Sequence, residues 1–236
     1  MIYITGDLHG GYDIQKLLRV KFNPDDIIIV CGDFGYVFHE DEFLRMEQFK
    51  NLRRLMDIIG CTLLFVDGNH ENFNRLEKFR KSTKYGGKVQ KISNNCYHLM
   101  RGETYTINGY KFLCIGGAES HDAYMREYNI SMWRQESITK AEIEKAISNC
   151  KDIDFIITHC APQTFMTRLF CDNYIPSFDI TQSVNLLEEL YNVLKKQEKP
   201  WKWFMGHYHK DLNYDPFYVM YNEFYCIDTG EWLWHL

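Results

Sequence analysis

The chain has 236 residues, with 27 Lys and Arg against 32 Asp and Glu, for a net charge of −5. That length can bury a full hydrophobic core, and the acidic balance argues against a surface that coats nucleic acid without excluding a local basic groove. Eight cysteines with no Cys-x-x-Cys spacing read as reduced, buried thiols, not as a disulfide framework or a zinc knuckle.

The sequence opens directly on a strand, shows no basic and apolar leader, and has no apolar run near the length of a bilayer span. A cytoplasmic protein without membrane association is therefore expected. The first strand, Met1 to Gly6, delivers Asp7 and His9, and Asp13 is placed to cap a short helix through Leu18. Asp26 to Cys31 is an almost continuous β-branched run, the mark of a strand buried on both faces, and it exits in Gly32-Asp33. From Glu40 to Ile59, the residues Phe43, Met46, Phe49, Leu52, Leu55, Met56 and Ile59 recur at helical spacing. They predict the inner face of an amphipathic crossover helix. Cys61 to Val66 is the third strand and runs into Asp67-Gly68-Asn69-His70-Glu71. The β-α-β-α-β order with short loops implies parallel pairing and right-handed crossovers.

After Gly86-Gly87, the segments Val89 to Ile92, Tyr97 to Met100, Thr104 to Ile107 and Tyr110 to Ile115 read as a meander, the last two joined by an Asn108-Gly109 turn. A second, more antiparallel sheet is expected from it. Thr139 and Glu142 form a capping box for a helix with Ile143, Ala146, Ile147 and Cys150 on its inner face. Ile153 to Thr158 is a strand that ends at His159, and residues 163–180 look irregular. Val184 to Leu194 marks a further helix, stopped by Pro200. Lys202 to Met205, Tyr218 to Tyr221 and Phe224 to Asp228 are expected as strands of the second sheet, with Trp232 and Trp234 alternating beyond them as packing. No linker, repeat or low-complexity segment divides the chain, so one domain over residues 1–236 is expected.

The chemistry gathers just past strand ends, where open α/β sheets place their ligands. Asp7, His9, Asp33, Asn69, His159, His207 and His209 all fall there, and together with His70 they account for five of the nine histidines. Carboxylates, an amide and imidazoles suit Mn, Fe or Zn. These groups are too many for one ion. Divided over two with one shared Asp, they fill two open sites of the kind that clamps a phosphoryl group. An isolated strand-end His is ordinarily structural, and Asp after Gly is common turn chemistry. The specific signal is the ordered set Gly-Asp-x-His, Gly-Asp, Gly-Asn-His-Glu, His-x-x-Pro and Gly-His-x-His.

With these five blocks, from Asp7 to His209, the chain resembles the calcineurin-like metallophosphoesterase family. The resemblance implies an α/β fold, a four-layer α/β/β/α sandwich of two mixed sheets flanked by helices, like other metallo-dependent phosphatases. It implies two divalent metal ions, Mn2+ foremost, with Fe, Zn or Ni also compatible. Asp7, His9, Asp33 and His209 would hold one ion and Asp33, Asn69, His159 and His207 the other. A water between them would lose its proton near neutral pH and attack phosphorus in line. His70 would be the catalytic acid that protonates the leaving oxygen or hydrogen-bonds the phosphoryl group, and Glu71 would orient its neighbours.

Protein serine/threonine phosphatases of this superfamily carry an Asp and an Arg where this chain has Tyr36 and Val37. Protein dephosphorylation is therefore not assigned, and His70 needs another orienting group, with Asp67 and Glu71 as candidates. The stretch from Gly116 to Arg126 with Trp133 and Glu136 is similar to a segment in a bacterial and phage subset of the family. Asp122, Arg126 and Trp133 are its candidate substrate residues: Arg126 offers a fork for phosphate and Trp133 a flat face for a base. An Asp122–Arg126 ion pair with Trp133 as packing is the equally weighted alternative. The expected partner is a small phosphorylated substrate, a monoester or a nucleotide-type diester. A nuclease is disfavoured by the acidic charge. A non-catalytic scaffold is the other alternative, but the chain keeps every ligand and the catalytic His. The oligomeric state is not legible.

Overall fold

The computed structural model describes residues 1–172, 174–175 and 180–233. Strands β1 (Ile2–Thr5), β2 (Ile27–Val30) and β3 (Thr62–Phe65) pair in parallel as expected. Helices α1 (Gln15–Arg19) and α2 (Glu42–Ile59) connect them. Asp41 caps α2 by accepting the Leu44 N–H, and Gly60 closes it in the left-handed region at φ 63°. Leu52, Leu55, Met56 and Ile59 of α2 are buried, whereas Phe43 and Met46, expected on the same inner face, are 72% and 64% exposed. The first turns of α2 carry no buried residue, so periodicity alone overstated how much of the helix is covered.

The short helix α3 (Phe73–Leu76) precedes β4 (Lys81–Lys84), β5 (Gly87–Ser93) and β6 (Cys96–Leu99). β6 lies parallel beside β3, and β5 and β4 extend that sheet antiparallel. The expected meander is thus divided: only β7 (Glu103–Ile107) and β8 (Tyr110–Ile115) belong to the second sheet. The free edge of β3 captures β6 before the chain crosses over at Met100–Gly102. α4 (Lys140–Asn149), with the predicted Thr139/Glu142 capping box, leads to β9 (Phe155–Thr158). Within the segment expected to be irregular, α5 (Gln163–Cys171) forms, burying Phe165, Met166 and Leu169; its weak helix formers hid the pattern. Then follow α6 (Gln182–Leu194), β10 (Lys202–Met205), β11 (Leu212–Tyr214) and β12 (Phe217–Val219). β13 (Phe224–Cys226) pairs with β1 and β14 (Glu231–Leu233) with β13, so the Phe224 segment joins the first sheet and not the second. Trp234 lies outside the described residues.

Among the described residues, one mixed sheet runs β14-β13-β1-β2-β3-β6-β5-β4 and the other β11-β12-β10-β9-β8-β7. Strand alternation makes three apolar layers. Ile2, Ile4, Ile29 and Leu64 face Phe112, Ile157 and Phe204 between the sheets. Tyr3, Ile28 and Leu63 face outward under α2, and Leu113, Ile156 and Trp203 pack under α4, α5 and α6. This is the expected α/β sandwich of two mixed sheets flanked by helices. Among the described residues no helix is long and apolar enough to cross a membrane. All eight cysteines are free, and seven are buried.

The sheets are tied together beside the third block. Arg101, in the crossover between β6 and β7, donates Nε to Asp67 Oδ2 at 2.9 Å and Nη1 to the Ser137 carbonyl at 3.0 Å; a second nitrogen, Nη2, also bonds Asp67. His98 Nε2 lies 2.9 Å from the other Asp67 oxygen. Burial works against the Asp67 charge, but Arg101 and His98 outweigh it and hold the carboxyl well below its ordinary range. Arg101→Met is expected to leave this carboxylate buried with an incomplete shell and to cost about 3–5 kcal/mol, read as a lower urea midpoint at unchanged m-value. A loss under about 1 kcal/mol would show that Arg101 does not hold the crossover.

Candidate metal centre

The carboxyl ends of β1, β2 and β3 in one sheet and of β9 and β10 in the other deliver their turns to one point. Main-chain bonds fasten the turns: the Asp33 carbonyl accepts the N–H groups of Leu8 and His9, both at 2.9 Å, and the His159 carbonyl accepts that of Gly206 at 3.0 Å. Asp33 is at the middle. Its Oδ2 is 3.2 Å from His9 Nε2 and 4.0 Å from His70 Nε2, while its Oδ1 is 3.2 Å from His159 Nε2. Asp7 Oδ2 is 3.2 Å from His209 Nε2 and 4.0 Å from His9 Nε2. Asn69 Oδ1 is 3.3 Å from His159 Nε2.

Among the described residues three trios each bring one donor atom per residue within 4.8 Å of the others: Asp7, His9 and His209; His9, Asp33 and His70; and Asp7, Asp33 and His159. His207 is in none of them. Its N–H donates to Asp7 Oδ1 at 3.2 Å, and its ring stands 4.9 Å from that of His159 and stacks on His121 at 4.6 Å.

The glycines of the sequence blocks make this convergence possible. A Cβ on Gly68 would stand 2.2 Å from Asp33 Oδ1, one on Gly206 2.3 Å from Asp7 Oδ1, and one on Gly32 2.2 Å from His159 Nδ1. These three glycines therefore clear space for functional side chains of other blocks. His9, Asp33, His207 and His209 themselves have φ of 44°, 48°, 70° and 50°. Non-glycine residues in this region cost on the order of 1–3 kcal/mol each and persist where their surroundings over-determine them, typically at functional sites.

Several supporting residues were not visible as such in the sequence. Asp13 caps no helix; α1 begins later with no side-chain cap, and Asp13 Oδ2 lies 2.6 Å from His9 Nδ1. The four-residue spacing between His9 and Asp13 was the available signal. Lys16, 4% exposed, donates its Nζ to the carbonyls of Gly6, Asp7 and Tyr221, and burial pulls its pKa down to about 8. Nothing in the sequence marks it. Glu71 is fully buried and accepts the N–H groups of Gly35 and Gly68, joining the second and third turns. Burial and then Asp33 push its pKa up to about 8.

Neither Asp67 nor Glu71 orients His70, because both are committed elsewhere. Instead, Arg126 Nη2 lies 3.0 Å from His70 Nε2, while Arg126 Nε bonds Asp122 at 2.6 Å. Arg126 thus keeps the ion pair and also reaches the centre. Trp133 is 1% exposed with its ring edge-on to Phe38, so it packs behind the centre and presents no open face to a base.

The electrostatics call for a cation. Among the described residues Asp7 Oδ2 is buried and has no hydrogen-bond donor, a costly state for a carboxylate oxygen unless a cation compensates it. Burial disfavours a charged His159, but Asp33 outweighs it and raises the ring to about 10; His9, against Asp33, Asp7 and Asp13, rises to about 9 in the same way. His70 is lowered, first by burial, and Arg126 adds to this. His207 falls well below its ordinary value through burial and then through His159 and His121. A buried pair of carboxylates edged by imidazoles in alternate reach of them fits a divalent metal centre.

A model of the calcineurin-like phosphoesterase family matches residues 1–211 of the chain. Among curated proteins none matches it. The matched span contains all five blocks.

Protons that the raised values place on His9 and His159 at neutral pH would have to leave for a cation to take their nitrogens. Divalent-metal affinity is therefore expected to rise from pH 7 towards the raised values near 9 and 10, by up to about tenfold per pH unit for each proton released. Calorimetric titration in two buffers of different ionisation heat measures that release. A binding heat independent of the buffer would contradict it.

Proposed function

Since the chain belongs to the calcineurin-like phosphoesterase family and is therefore a metal-dependent phosphoesterase, a hydrolase, we propose that its centre holds two divalent cations. Asp7, His9, Asp33 and His209 would hold one, and Asp33, Asn69, His159 and His207 the other. The observation that carries this reading is the attitude of Asp33: one oxygen is turned 3.2 Å from His9 and the other 3.2 Å from His159. A carboxylate so placed can serve two cations at once. The mixed oxygen and imidazole donors favour Mn2+, with Fe, Zn and Ni as alternatives.

When bound, such a pair supplies a nucleophile from water at neutral pH and neutralises charge on the phosphoryl oxygens. The chain's own groups do the rest. The Asp33 carboxylate accepts the His70 N–H at 2.8 Å and so fixes the turn that presents the imidazole. Arg126 can only donate, so His70 Nε2 accepts from it in the resting arrangement. Once a substrate oxygen draws Arg126 away, Nε2 is free to take up a proton from solvent, and His70 then passes that proton to the leaving oxygen or donates it in a hydrogen bond to the phosphoryl group. In that exchange Arg126 becomes the phosphate-binding fork, and its bond to Asp122 keeps it aimed. The substrate is a small phosphomonoester or phosphodiester, nucleotide-type molecules included.

With Mn2+ present, turnover of p-nitrophenyl phosphate or bis-p-nitrophenyl phosphate is expected; the first alone marks a monoesterase and the second a diesterase. Neither, in protein shown by elemental analysis to hold metal, overturns the reading. His70→Ala is expected to retain both cations while turnover falls by about 10²–10⁴. A metal-free variant would make His70 a ligand instead. Arg126→Ala is expected to raise KM for either ester by roughly tenfold or more, as the loss of a charge-assisted bond predicts.

A further inference from the structure

Beside the centre lies a cavity of about 930 Å³, and His9, His70 and His209 form its inner end. It opens between α1 and α2. Leu18 lines it from α1 and Leu44 and Ile58 from α2, with Phe38 beside His70. We propose that this cavity receives the non-phosphate part of the substrate, and that this part is uncharged and mainly aromatic or aliphatic. The inference rests on the phosphoesterase reading above and extends it to a substrate class.

Three observations carry it. The first is continuity: the imidazoles that edge the metal centre are also walls of the cavity, so a phosphoryl group at the centre has its ester substituent directed into a space already formed. The volume falls in the range of about 300–1,000 Å³ typical of sites for small organic ligands and far exceeds what a phosphoryl group fills. The second is charge. Outside the histidines, the charged lining groups among the described residues are Arg54 and Glu47, and Glu47 is 3.4 Å from Lys50. A second phosphate or a polyphosphate chain would need a cluster of cations that this lining lacks. The third is exposure. Leu18, Leu44 and Ile58 are 43%, 43% and 64% exposed, apolar surface that an apolar substituent would remove from water. Asn51 and Arg54, one turn apart on α2 and exposed at the same cavity, give that substituent a polar edge to bond.

The test measures binding and needs no turnover. Isothermal titration of Mn2+-loaded protein with 1-naphthylmethylphosphonate and with methylphosphonate is expected to show the naphthyl compound binding at least about tenfold tighter, since burying one ring system removes that much apolar area. Ile58→Trp and Leu18→Trp, which fill the cavity from opposite walls, are expected to bring the affinity ratio towards one. Equal affinities in the parent protein, a naphthyl advantage that survives both substitutions, or a dimer in solution that buries Leu18 and Ile58 would each overturn the assignment. Turnover of p-nitrophenyl phosphate judges the phosphoesterase reading separately, so the two can fail independently.

Discussion

Asp33 is a carboxylate 2% exposed in the interior of the fold, and the rest of the centre is arranged around keeping it charged. Burial alone would drive its pKa up, yet His159, His9 and His70 hold it well below the ordinary range. A buried charge is tolerable only with partners on every side. Its main chain is equally committed: the carbonyl closes the first turn, and the residue adopts a left-handed φ of 48°. Gly68 must lack a side chain because Asp33 Oδ1 occupies that position. Electrostatics, backbone strain and packing therefore converge on a single side chain, and the proposed sharing of Asp33 between two cations uses the two faces those constraints leave open.

Such a centre needs a rigid frame, and the frame is polar as well as apolar. The two sheets meet over a layer of Ile, Leu and Phe, which resists compression but carries little directional information. Direction comes from buried polar ties. Lys16 gathers the carbonyls behind the first turn, Glu71 joins the second turn to the third, and Arg101 with Asp67 pins the third to the crossover between sheets. Each tie lies behind a turn that carries a candidate ligand, so the chemistry in front is positioned by hydrogen bonds the solvent does not reach.

In the proposed function, reactivity and selectivity both turn on His70. Arg126, itself bonded to Asp122, contacts the imidazole and can exchange it for substrate oxygen, and the cavity along α2, which His70 also lines, offers mainly apolar walls. Tyr36 and Val37 stand where the protein phosphatases of the superfamily carry an Asp and an Arg. Both residues are buried here, and Tyr36 lines the cavity. The same α2 that looked uniformly amphipathic in sequence is a core helix in its second half and a cavity wall along its outer stripe.

How much of this was legible depends on the range over which each signal acts. The strands that end in Gly-Asp-x-His, Gly-Asp, Gly-Asn-His-Glu and Gly-His-x-His, the Thr139/Glu142 cap and the Asn108-Gly109 hairpin are encoded within a few residues, where period, turn chemistry and capping are local. The family and the gathering of its polar residues at strand ends followed from them. Only the tertiary structure decided that β6 and β13 join the first sheet, that Asp13 serves His9 and caps no helix, that Arg126 and not Asp67 or Glu71 meets His70, and that Trp133 is interior. Those outcomes turn on which strand edge is free, which charge lies across a turn and which ring fills a gap, and each is set by residues tens to hundreds of positions apart that meet only when both sheets close over their common core.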